Sequence, residues 1–69
     1  MTTEVIYRIA CPFRAADIEV YGDPAMGWYE YRIVAKGTVE RDTGRHGSYG
    51  MQYGSPEIAL RDALIEETA

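Results

Sequence analysis

Sixty-nine residues, 46% apolar and 26% charged, have the composition of one small globular domain spanning 1–69. A chain of that length buries only about 60% of the surface its unfolded form exposes, so support from a partner or a second copy is expected. One cysteine and one histidine exclude an internal disulfide and a Cys/His zinc cluster, and seven basic residues against eleven acidic ones, a net charge of −4, lack the footprint of nucleic-acid binding.

The first predicted element is a strand over Glu4 to Ala10, with Val5, Tyr7 and Ile9 on one face and Glu4, Ile6 and Arg8 on the other. Pro12 ends it, since proline donates nothing to a sheet ladder. Residues Phe13 to Asp23 carry the β-type run Ile18 to Tyr21, closed by Gly22-Asp23-Pro24, and read as a second strand. A helical turn over Arg14 to Asp17 is the competing reading. Trp28 to Lys36 alternates most clearly. Tyr29, Tyr31, Ile33 and Ala35 suit a core face, and Trp28, Glu30, Arg32, Val34 and Lys36 a mostly solvated one. Gly37 permits a turn or bulge, Thr38 to Asp42 forms a further strand with Val39 inward, and the glycine-bearing stretch Thr43 to Ser48 is a polar loop. A short strand over Tyr49 to Tyr53 precedes the last element.

That last element is a helix with a marked start. Ser55 is placed to cap it, Pro56 takes the first helical position, and Glu57 puts negative charge near the positive end of the helix dipole. Ala59, Leu60, Ala63 and Leu64 form one stripe, and Ile58 and Ile65 lie on another side with Arg61 and Asp62 between them. The expected architecture is α+β: a three- or four-stranded antiparallel sheet with one C-terminal helix packed across it. The helix stripe should dock on the tyrosine-rich face.

No constellation calls for reaction chemistry. Cys11 reads as a small buried hydrophobe, remote in sequence from His46, the only possible base of its kind. The pairs Asp17/Glu19 and Glu40/Asp42 have strand spacing and read as solvated surface. A domain of this size leaves little room for a closed pocket of ~300 Å³ or more. Arg8, Arg14, Arg32, Arg41, Arg45 and Arg61 interrupt the acidic residues, which argues against DNA mimicry. Glu66 and Glu67 lie where the helix dipole disfavours negative charge; they either fray or meet positive charge on a partner. The surface candidates are partner-binding: Ile58, Arg61, Asp62 and Ile65 on the outer helix face, then Trp28 on the outward face of its strand, and Arg45 and His46 at a loop tip. No catalytic residue, cofactor or metal is expected. No run approaches the ~20 apolar residues of a membrane helix. The start, Met1 to Arg8, lacks the charged-then-apolar order of a signal peptide, so a cytoplasmic location is expected.

The stretch Trp28 to Ile65, a compact hairpin followed by Tyr53-Gly54-Ser55-Pro56-Glu57-Ile58-Ala59-Leu60-Arg61-Asp62-Ala63-Leu64, resembles a pattern in small proteins of phages and prophages. Its layout is also loosely similar to double-stranded-RNA-binding domains, which have lysines at the start of the last helix. Pro56, Glu57 and Ile58 stand there instead, so RNA binding is not implied. In size, acidity and layout the chain is similar to anti-CRISPR proteins, which share no common motif. The resemblance implies a non-enzymatic protein of the bacterial host cytoplasm that binds and sterically inhibits a host protein complex. A homodimeric interaction module is the alternative.

Overall fold

The computed structural model describes residues 3–45 and 53–68. Four antiparallel strands follow one another as a meander, β1 (Glu4–Ala10), β2 (Asp17–Asp23), β3 (Trp28–Ala35) and β4 (Thr38–Asp42), in the spatial order β1-β2-β3-β4. A 3-10 turn over Thr43–Arg45 leaves β4, and one helix, α1 (Pro56–Thr68), ends the described chain. The expected α+β architecture is therefore present, with four strands.

Each connection is closed by local chemistry. Between β1 and β2 the Cys11 amide donates to the Ala16 carbonyl at 2.7 Å, and residues 12–15 form turns and bends. The strand reading of Ile18 to Tyr21 thus holds, and the competing helical turn at Arg14 to Asp17 is absent. Between β2 and β3 the Asp23 carboxylate accepts from the amides of Ala25 and Met26, at 3.1 and 3.3 Å, while Gly27 takes a φ of 78°. Between β3 and β4 the chain reverses through Lys36 and Gly37, both at positive φ (53° and 77°). This is the two-residue reversal whose twist matches that of the flanking strands. Lys36 therefore belongs to the turn, and β3 ends one residue earlier than its alternation implies.

The helix lies over β2 and β3. Ala59 and Ala63 are fully buried and meet Ile18, Val20, Tyr31 and Ile33, with Leu60 and Leu64 flanking. Alanines at the closest approach let the helix backbone sit near the large rings of the sheet. Gly22 answers a different need, the close approach of β2 to β3. A Cβ there would come within 2.3 Å of the Trp28 carbonyl oxygen and 2.9 Å of the Tyr29 ring. The helix start forms as its residues predict, for Ser55 Oγ accepts from the Ile58 amide at 3.2 Å. The Tyr7 hydroxyl donates to Glu57 at 2.6 Å and ties that end to β1. Cys11 is buried within the core cluster, as expected of a small apolar side chain.

Two bulges overturn the simple alternation. In β1 the register slips between Val5 and Tyr7. Tyr7 and Ile9 stay opposite Val20 and Ile18 on the helix face, but Val5 stands opposite Tyr21 on the other face and is exposed, while Ile6 packs against the core. In the β3–β4 pair the register slips between Ile33 and Val34. Val39 then stands opposite Val34, away from the helix, and Arg41 faces Ile33 on the helix side. One extra residue reverses the parity of all that precedes it. Of the expected strand at Tyr49 to Tyr53, only Tyr53 is described. It forms a single antiparallel bridge with Tyr29, with N–H···O distances of 2.9 and 2.8 Å.

The face of β3 expected to be mostly solvated is partly buried. Glu30 is 3% exposed because the turn after β4 folds against it, and Thr43 Oγ1 donates to its carboxylate at 2.5 Å. The same oxygen accepts from the Tyr31 amide at 3.1 Å, so Thr43 continues the edge that β4 vacates. Glu19, 8% exposed, accepts from Arg8 at 2.9 Å and from Arg32 at 2.7 Å. Arg32 in turn lies 4.8 Å above the Tyr21 ring, and the Tyr21 hydroxyl donates to Asp42. The carboxylate pairs read as plain surface therefore separate. Glu19 is a buried anchor and Asp17 is exposed, while Glu40 binds Arg14 and Asp42 binds Tyr21.

Candidate protein-binding face

Because α1 lies over β2 and β3, the helix side of the β3–β4 edge is left open. A cleft of about 460 Å³ occupies that space. It is a cleft open to solvent, not the closed pocket for which so small a domain was expected to have little room. Tyr31 from β3, Arg41 from β4, Thr43 and Tyr53 form the sheet side of the cleft, and Asp62, Ile65 and Glu66 form the helix side. Arg41 is present because the β3–β4 bulge turns it toward the helix.

The polar groups of the cleft are matched in part. Tyr53 faces Asp62, and the Tyr31 hydroxyl faces Arg41. Arg41 lies 3.8 Å from Glu66, a long ion pair with both side chains about half exposed. The rings of Tyr31 and Tyr53 are 6.1 Å apart and tilted by 32°. Burial, reinforced by the Asp62 carboxylate, pushes the Tyr53 hydroxyl well above the usual tyrosine range. Burial also raises that of Tyr31, against the opposing pull of Arg41. Both hydroxyls are therefore neutral near pH 7 and act as hydrogen-bonding groups, not as bases.

The sequence-derived candidates fall into separate places. Ile58 and Ile65 are 41% and 56% exposed, and Arg61 between them is exposed. Asp62 is half-buried and joins Ile65 in the cleft wall. Trp28 is half-buried and stands opposite Asp23 on the sheet face away from the helix, so it does not share a surface with them. Arg45 ends the 3-10 turn, and His46 lies outside the described residues.

Tyr31, Arg41, Thr43, Tyr53 and Glu66 are cleft residues that reading the sequence missed. Parity carried no sound signal for Arg41, since it ties Arg41 to Val39 and the bulge puts the two on opposite faces. Glu66 and Glu67 find charge within the chain. Glu66 faces Arg41, and Glu67 accepts from Arg14 at 2.9 Å while Arg14 also reaches Glu40 at 2.6 Å. Among the described residues no group of three or more His, Cys, Asp or Glu is arranged to hold a metal ion, and no helix is long and apolar enough to cross a membrane. Compared with known proteins, the chain matches no family model, no curated sequence and no solved structure.

Proposed function

We propose that this chain is a non-enzymatic, phage-type protein that binds a host protein complex in the bacterial cytoplasm and inhibits it by covering a functional surface. A CRISPR interference complex is the target that the resemblance favours. The observation that carries the reading is the outer side of α1, where Ile58 and Ile65 are exposed on a helix whose inner stripe is already committed to the core. Full burial of an isoleucine is worth about 1.5–3 kcal/mol. Two that are about half exposed would add roughly 1 kcal/mol each on docking, enough together for a change of more than tenfold in affinity. Arg61 beside them supplies a polar rim. Capture from bacterial lysate, followed by identification of the retained proteins, tests this. Wild-type protein is expected to retain the subunits of one defence complex and Ile58→Asp/Ile65→Asp to lose them. Retention of the same proteins by both would remove the helix face from the account.

The same two isoleucines, one heptad apart, suit self-pairing as well. In that second reading the chain is a homodimeric module. Light scattering decides it, since a wild-type monomer at high concentration rules the dimer out.

A further inference from the structure

We infer that the cleft between α1 and the β3–β4 edge receives an arginine side chain of the bound partner. The inference rests on the reading of this side of the molecule as partner-binding, and it adds the chemistry of the contact. The cleft joins three features that together match a guanidinium on an aliphatic stem. Its helix wall is Ile65, an apolar surface against which the stem can lie. Its sheet side presents the half-buried ring of Tyr53 beside the buried Tyr31, and a guanidinium within about 6 Å of a tyrosine ring is attracted by the ring quadrupole. Among the described residues that line it the charge is unbalanced, for Asp62 and Glu66 face one guanidinium, that of Arg41.

Neutral Tyr53 beside Asp62 brings no positive charge. The last turn of the helix offers none either, although the dipole there favours a basic residue. A planar guanidinium can stack on a ring and bind carboxylates through two N–H groups at once, which an ammonium cannot. At about 460 Å³ the cleft is large enough for one such side chain with the water around it. The net charge of −4 favours the approach of a basic partner surface in general.

The test uses the full-length protein and two blocked tripeptides, one with a central arginine and one with a central glutamate, titrated to millimolar concentrations by NMR. The arginine peptide is expected to give saturable shifts at Tyr31, Tyr53 and Ile65, and the glutamate peptide none. Asp62→Asn/Glu66→Gln, which keeps hydrogen-bonding groups in place, is expected to weaken the arginine response about tenfold with the circular dichroism spectrum unchanged. Shifts of equal size with both peptides, shifts confined to residues outside the cleft, or an undiminished response in the double variant would overturn the assignment. Failure here, with lysate capture still lost in Ile58→Asp/Ile65→Asp, removes the arginine site and leaves the partner-binding face standing.

Discussion

Glu19 shows how a single charged residue can be made structural. It sits on the open face of the sheet yet is almost buried, because Arg32 and Arg8 close over its two oxygens. The Arg32 guanidinium, and then Arg8, hold its carboxyl below the usual glutamate range. The folded value is thus lower than the unfolded one. Its contribution is fully present above the unfolded value, near pH 4.3, and is lost as pH falls through the folded value. Urea midpoints measured from pH 7 downward should fall through the carboxylate range in the wild type and fall less steeply in Glu19→Gln. At pH 7 that substitution should cost about 1 kcal/mol, since both arginines are partly exposed and screened. Equal slopes for the two proteins would show that Glu19 is not an anchor. None of this was legible from the spacing of Asp17 and Glu19. Strand parity places both on one face but does not say that two arginines from neighbouring strands converge on only one of them.

Among the elements, the strands and the helix were legible because their signals are local: β-type runs ended by glycine and proline, and Ser55-Pro56 opening the helix. The bulges at Ile6 and in β4 were not, since an inserted residue leaves no mark of its own and shows only as a reversed face. Those reversals exposed Val5 and put Val39 and Arg41 on opposite faces, Val39 away from the helix and Arg41 toward it. The buried state of Glu30 was hidden for a different reason, because it depends on Thr43 returning across the sheet. Arg14 offers a test at this scale. It reaches from the β1–β2 connection to Glu67 on α1 and Glu40 on β4, joining three elements at one end of the molecule. Arg14→Ala should speed amide hydrogen exchange in the last turn of α1 several-fold, with the urea midpoint little changed, because the contact is exposed and local. Unchanged exchange at residues 64–68 would mean that the helix end is held by its packing alone.

At the scale of the whole molecule, the sheet has one face covered by a single helix and one closed by arginine–carboxylate and tyrosine–carboxylate contacts. Among the described residues every buried side-chain nitrogen or oxygen has a hydrogen-bond partner, so the fold leaves no polar debt inside. What stands outside this closure is the outer side of α1 together with the adjoining cleft. Under the proposed function this side blocks a host complex. The direct measurement is phage plaquing on bacteria with an active CRISPR system, compared with an otherwise identical strain lacking it, each expressing the wild type or Ile58→Asp/Ile65→Asp. The wild type is expected to restore plaquing in the defended strain only, and the double variant, folded and equally abundant, is expected not to. Restoration by both proteins, or by neither, would contradict the proposed function.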